Sequence, residues 1–98
     1  MDLAFFENGN ELEIALRGRL DTVTAPRLEA ELKDRLDGVE KLVLDLSGLS
    51  YISSAGLRVL LSAHKIMSRQ GNMTVTHVGE TIMEIFEVTG FTEILNIA

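Results

Sequence analysis

The sequence has 98 residues and no cysteine, and its 15 acidic and 9 basic residues give a net charge of −6. The length predicts one domain spanning residues 1–98, and the absence of cysteine excludes disulfides, thiolate metal ligands and thiol nucleophiles. Nucleic-acid binding needs clustered Lys and Arg, which the sequence lacks, so we expect no binding to nucleic acid. A membrane span needs ~20 consecutive apolar residues, and the sequence has no such run. We therefore expect a cytoplasmic protein that does not insert into membranes.

The N-terminal third predicts two strands and a helix. Leu3–Phe6 is short and apolar, and the dipeptide Asn8-Gly9 that follows is typical of a hairpin turn. Apolar and polar residues alternate over Glu11–Gly18, as in a half-buried strand. Over Thr22–Gly38 leucines recur at helical spacing, and we expect Thr24 to be the N-cap of this helix.

The remainder alternates between strand and helix patterns. Lys41–Leu49 predicts a strand, and Leu42–Leu46 within it is nearly continuously apolar, which is typical of a strand that is covered on both faces or mostly buried. Helical spacing follows over Ser54–Gly71, a short strand pattern over Asn72–Val78, a helix over Glu80–Gly90, and one more turn or strand over residues 91–98. Strand–helix–strand units predict an α/β fold: a mixed, mostly parallel sheet of four or five strands, with helices packed on it and the N-terminal hairpin at its edge.

Few residue patterns point to catalysis. There is no phosphate-binding glycine loop, no GxSxG elbow and no metal-ligand spacing, so we expect no cofactor, no metal site, no catalytic residue and no enzymatic activity.

Asp21 and Asp45 each lie late in or just after a strand, and parallel strands would bring them to one edge of the sheet, where paired carboxylates can act as acid and base. The alternative is that Asp21 caps or turns the chain while Asp45 accepts hydrogen bonds from nearby amides. A site combining both with Ser54 is disfavoured, because no activated nucleophile–base pair is visible.

The stretch ISSAGL, Ile52–Leu57, joins a strand to a helix. Either Ser53 or Ser54 is expected to be the N-cap of that helix. The stretch also lies at the carboxyl end of a strand, where α/β sheets bind ligands and partners, and a phosphate added there would face free amides and the positive end of the helix dipole. Ala55 and Gly56 are small enough for another molecule to approach closely. Capping alone and modification of a serine both remain open on these grounds.

Three segments together resemble a known family. GRLDTVTAPRLEAEL (residues 18–32), LVLDLSGLSYISSAGLRVLL (residues 42–61) and GFTEIL (residues 90–95) are similar to the STAS domain of bacterial anti-sigma-factor antagonists. The resemblance implies that the unphosphorylated protein binds an anti-sigma factor that is also a GHKL-type serine kinase, which frees the sigma factor. It further implies that this kinase phosphorylates a serine at the start of the second helix, that the complex then dissociates, and that a PP2C-type phosphatase reverses the modification.

The family pattern can be carried over residue by residue. It makes Ser54 the phosphate acceptor, and it places Ser53 where relatives carry an aspartate. The partner-binding surface that the resemblance implies consists of Asp21, Thr22, Ser53, Ser54, Ala55, Gly56, Leu57 and Arg58. Typical antagonists continue into a final helix, so we expect the C-terminus, at Ala98, to be shortened or minimal.

An alternative function for the same domain is that of a STAS subunit in a membrane transport assembly of the lipid ABC transporter type, where the second helix would dock on a cytoplasmic ATPase.

Overall fold

The elements of the fold follow the predicted order. A computed structural model describes all 98 residues, and it contains four strands and three helices. They are β1 (Asp2–Asn8), β2 (Glu11–Leu20), α1 (Ala25–Arg35), β3 (Lys41–Ile52), α2 (Ser54–Ser68), β4 (Asn72–Thr76) and α3 (Glu80–Thr89), with a short 3₁₀ turn at Phe91–Glu93. The sheet order is β1-β2-β3-β4; β1 and β2 are antiparallel and the other pairs are parallel. The predicted α/β fold with an edge hairpin is confirmed.

One face of the sheet is buried and the other is open. Along β2, Leu12 and Ile14 are fully buried whereas Glu11 and Glu13 between them are exposed. The same alternation continues in β3 and β4, and the buried residues of strands and helices form a single cluster. β3 is therefore covered on one face only, and Val43 remains half-buried on the open face. Of the two predicted alternatives, a strand covered on both faces or one mostly buried, the first is wrong.

Several boundaries differ from the prediction for local reasons. The hairpin turn has Gly9 and Asn10 at its centre, between the paired residues Asn8 and Glu11, and Gly9 supplies the positive φ of 63°. β2 continues past Gly18, where the register shifts at a bulge and the glycine has φ 98°. β4 stops at Thr76 instead of Val78 because His77 has φ 55°, a left-handed conformation that ends an extended ladder.

The C-terminal residues pack against the sheet edge. After the 3₁₀ turn, Ile97 forms a parallel bridge with Val75 of β4. The backbone amide of Ala98 donates to the Val75 carbonyl oxygen at 3.0 Å, and the Val75 amide donates to Asn96 at 2.9 Å. The last residues thus extend the outer edge of the parallel strands, in line with the predicted final turn or strand.

Candidate functional site

The start of α2 lies beside the loop that follows β2. Leu20 and Ile52 are partners in the last pair of the parallel ladder between β2 and β3. The amide of Ser53 then donates to the carbonyl oxygen of Leu20 at 2.9 Å. Because both strands end at this pair, Asp21 and the two serines emerge at the same edge of the sheet. The structure therefore brings together two segments that are some thirty residues apart in the chain.

The two adjacent serines differ in their surroundings. Ser53 is the N-cap of α2: its backbone is extended, its Oγ accepts from the Gly56 amide at 3.4 Å, and its carbonyl oxygen accepts from the Leu57 amide at 2.9 Å. Ser54 is the first helical residue and is exposed to solvent. The capping role, which the sequence left open between them, belongs to Ser53, and the Ser54 hydroxyl is accessible to another protein.

Asp21 organises the loop before α1. Its Oδ1 accepts from the amides of Val23 at 3.0 Å and Thr24 at 3.1 Å. In return, the Thr24 hydroxyl accepts from the Asp21 amide at 2.9 Å and donates to the Arg19 carbonyl oxygen at 2.8 Å. Thr24 is the N-cap of α1, as the sequence predicted, but its side chain accepts no hydrogen bond from the helix. Its hydroxyl is directed back towards the strand, and Asp21 accepts the amides of the turn before the helix. The loop is consequently held in one conformation by side-chain hydrogen bonds at both ends.

These bonds also affect the charge of Asp21. The Thr24 amide has the largest effect and holds the pKa of the carboxyl below its ordinary value of 3.8, against the opposing effect of partial burial. The Val23 amide and Arg19, whose Nε lies 3.6 Å from Oδ2, lower the pKa further. Hydrogen bonds and positive charge favour the ionised form, so Asp21 carries its negative charge throughout the neutral range.

Asp21→Asn is expected to lower the free energy of unfolding at pH 7, because the amide side chain keeps the shape but loses the charge. Since the folded-state pKa lies below 3.8, the charge stabilises the fold above that pH, and its contribution is lost as the pH falls through the folded value. Urea unfolding should therefore show that the free energies of unfolding of wild type and variant differ less at pH 3 than at pH 7. Asp2→Asn, at an exposed position of β1, is the control. If Asp21→Asn lowers the free energy of unfolding by the same amount at both pH values, the charge of Asp21 does not stabilise the fold.

Gly56 and Leu57 lie beneath the surface. A methyl group added at Gly56 would lie 2.8 Å from the side chains of Leu20 and Ile52 and 2.9 Å from the Leu20 carbonyl oxygen. Gly56 thus lets α2 start directly against the end of β2, and the expectation that it leaves room for another molecule is wrong. Leu57 is 7% exposed and belongs to the core. Both residues are buried in the unbound chain, where they position the helix.

The exposed part of this edge is smaller than predicted and has other members. Of the eight predicted residues, three are exposed, namely Thr22, Ser54 and Arg58, and three are half-buried, namely Asp21, Ser53 and Ala55. Sequence reasoning missed Val23, whose side chain is 85% exposed in the loop that Asp21 holds. The spacing Asp-x-x-Thr, which is similar to that of a reciprocal capping box, is the signal that could have identified residues 22 and 23 as the outside of a rigid turn. We call the exposed and half-buried residues, together with Val23, the α2 edge.

Asp45 lies elsewhere, on the open face of the sheet. It pairs with Ala15 and Thr76 in the middle of β3, well before the strand ends at Ile52. Its Oδ1 accepts from the Ser47 amide at 2.9 Å, which holds its pKa below the ordinary value, and lies 3.4 Å from His77 Nδ1. The two aspartates are therefore not brought together as an acid–base pair, and the alternative that each accepts hydrogen bonds from nearby amides is what the structure contains.

No three side chains of the His, Asp and Glu types lie close enough together to bind a metal ion. None of the helices combines the length and the apolar character that a membrane crossing requires.

The chain is similar to known proteins in both sequence and fold. A family model described as "Mlab, STAS domain" matches residues 3–96. The protein BtrV of Bordetella bronchiseptica, assigned as an anti-sigma factor antagonist, is 42% identical over 85 residues, which are 85% of this chain and 73% of BtrV. The crystal structure of an anti-sigma factor antagonist from Mycobacterium paratuberculosis aligns with a TM-score of 0.88 at 23% identity, over 98% of this chain and 83% of the other. The Bacillus cell fate determinant SpoIIAA in its phosphorylated form aligns with a TM-score of 0.77 at 17% identity, over 99% and 91% of the two chains.

Proposed function

This chain belongs to the STAS domain family, and because its sequence relatives in that family are anti-sigma factor antagonists, we propose that it acts as an anti-sigma factor antagonist controlled at Ser54. The unphosphorylated protein binds an anti-sigma factor in the cytoplasm and frees the sigma factor. The observation that carries the proposal is the division between the serines: Ser53 caps α2, which leaves the Ser54 hydroxyl exposed at the first position of the helix.

The α2 edge is the binding surface in this proposal. It combines an accessible hydroxyl, the ionised Asp21 and the apolar side chain of Val23 on a backbone held by hydrogen bonds. A surface that is already ordered loses little conformational entropy on binding, so more of its contact energy contributes to affinity. The edge therefore suits recognition of a folded partner without rearrangement of this chain.

Phosphorylation is the step that ends binding. The anti-sigma factor, a GHKL-type kinase, transfers the γ-phosphoryl group of ATP to Ser54 Oγ: the bond between the γ-phosphorus and the bridging oxygen breaks, the Oγ–P bond forms, the hydroxyl proton passes to a base of the kinase, and ADP leaves. The product carries about −1.5 to −2 charges at neutral pH. A PP2C-type phosphatase restores the serine by hydrolysis, which releases inorganic phosphate.

The helix start tolerates this charge while an interface does not. At the N-terminus of α2 the phosphate is favoured by the helix dipole, so the fold is expected to remain intact. In a complex that covers the α2 edge, the same charge would be buried beside Asp21 and would cost several kcal/mol if unpaired. The switch thus acts through electrostatics at the contact surface. Because Ser53 is neutral, Asp21 is the carboxylate of this surface.

Affinity purification from the cell that makes the protein, followed by mass spectrometry, tests the proposal. We expect recovery of an anti-sigma factor with a kinase domain, and a phosphosite at Ser54 in the fraction that is not bound to it. A Ser54→Ala bait should retain the same partner through both growth and stress conditions. Recovery of the ATPase of a membrane transport assembly, with Ser54 unmodified, would overturn the proposal in favour of the transport function.

A further inference from the structure

Arg58 is an exposed cation one helical turn after Ser54. Residues at positions i and i+4 of an α-helix lie on the same face, so the two side chains are neighbours on the surface of α2. The helix offers Arg58 no carboxylate, because its other neighbours at this spacing are Ala55, Leu61 and Ser62. Unlike Arg19 and Arg35, which each lie near an acidic side chain, Arg58 forms no ion pair in the chain. Its guanidinium is therefore free in the unmodified protein.

Several other polar groups near Ser54 are already engaged, although the backbone amides of Ser54 and Ala55 have no partner. Ser53 Oγ occupies the Gly56 amide in the first turn of α2. The Arg19 guanidinium lies 3.6 Å from Asp21 and stacks on the Tyr51 ring at 4.2 Å. Asp21, on the adjoining loop, adds a negative charge that would repel a phosphate. Of the charged groups at this edge, only Arg58 is both positive and unpaired.

Resting on the phosphorylation of Ser54 proposed above, we infer that Arg58 binds the Ser54 phosphate within the same chain, across one turn of α2. Arginine and phosphate form strong, charge-assisted hydrogen bonds. Phosphorylation then changes two charges on the α2 edge at once: it adds a dianion at Ser54 and it withdraws the Arg58 guanidinium from contact with a partner. Dissociation would follow from the loss of a positive group as well as from the gain of a negative one.

The test is a titration of the phosphate by ³¹P NMR, with phosphoserine placed at position 54 during synthesis. Wild type is compared with Arg58→Gln, and with Arg69→Gln as a matched control, since Arg69 is exposed at the other end of the same helix. A nearby cation favours the dianion, so we expect the titration midpoint to lie about 0.3 pH unit higher in Arg58→Gln than in wild type. The phosphate of Arg69→Gln should have the same titration midpoint as that of wild type. An unchanged midpoint in Arg58→Gln, or equal shifts in both variants, would overturn the inference.

This experiment separates the inference from the function on which it rests. Because the phosphoserine is installed without any cellular kinase, the titration reports on the Ser54–Arg58 pair even if the native protein has no phosphosite. The absence of that phosphosite in cells would overturn the proposed function alone. Circular dichroism of the three phosphoproteins shows whether α2 is intact, so that a shift in midpoint is not caused by loss of the helix.

Discussion

Ser54→Asp is expected to bind the anti-sigma factor at least about 100-fold more weakly than Ser54→Ala, which should bind as wild type does. The estimate follows from the removal of an added charge from water in an interface. This desolvation costs several kcal/mol per ion, and each 1.4 kcal/mol is a factor of ten in affinity. The variant should fold normally, because an acidic residue in the first turn of a helix is stabilising. Isothermal titration calorimetry with the partner recovered from cells provides the dissociation constants.

A matched pair of variants on the same helix controls for the added charge itself. Ser68 is exposed at the last position of α2, far from the α2 edge. Ser68→Asp introduces the same charge and the same side chain, and it should leave the affinity within a factor of about two, since charges separated by more than a Debye length are screened. If Ser54→Asp binds as tightly as Ser54→Ala, the phosphorylation switch is wrong; if Ser68→Asp weakens binding equally, the effect is not specific to the α2 edge.

Gly56→Ala is expected to lower the free energy of unfolding by roughly 2–3 kcal/mol, which is the upper range for an added methyl group in a packed interior. The new methyl would approach the Leu20 carbonyl oxygen to 2.9 Å, and this backbone atom cannot move without disturbing the last pair of β2 and β3. The alternative response, an outward shift of α2, would break the Ser53 cap and displace Ser54. Chemical unfolding monitored by circular dichroism measures the loss.

The control for this substitution is another glycine at a helix start. Gly79 is the N-cap of α3 with φ −72°, and a methyl group there would have no neighbour within 4 Å. Gly79→Ala should cost less than about 1 kcal/mol, the difference between glycine and alanine as N-caps. A Gly56→Ala protein with the same unfolding midpoint as Gly79→Ala would show that the contact between α2 and β2 is more tolerant than the structure indicates.

Local sequence signals identified most of the elements. The hairpin could be predicted because the turn signal at Asn8-Gly9 and the alternation after it act within a few residues, although the turn itself is formed by Gly9 and Asn10. The start of α2 could be predicted because a serine N-cap is a local device, although which of the two serines acts as the cap could not. The ISSAGL stretch also carried the family resemblance, and the match of a STAS family model to residues 3–96 confirms that resemblance.

Contacts between distant parts of the chain determine two features that local sequence patterns did not predict: which face of β3 is open, and how far Asp21 lies from Asp45. The apolar run of β3 was consistent with burial on both faces, and only the packing of the helices shows that one face is open. Asp21 and Asp45 were both near strand ends by pattern, but β3 runs on to Ile52, so the two carboxylates are separated. The position of Asp45 depends on strand register, which is set by pairing partners far away in sequence.

By itself, the sequence determined the order of the elements, the capped start of α2 and the family, because each of these is recognised from patterns within short stretches of consecutive residues. Only the tertiary structure decided the composition of the α2 edge. The Leu20–Ile52 pair brings the loop after β2 against the start of α2, which buries Gly56 against Leu20. The burial of residues at this edge results from the meeting of two segments about thirty residues apart, and neither segment specifies that meeting alone.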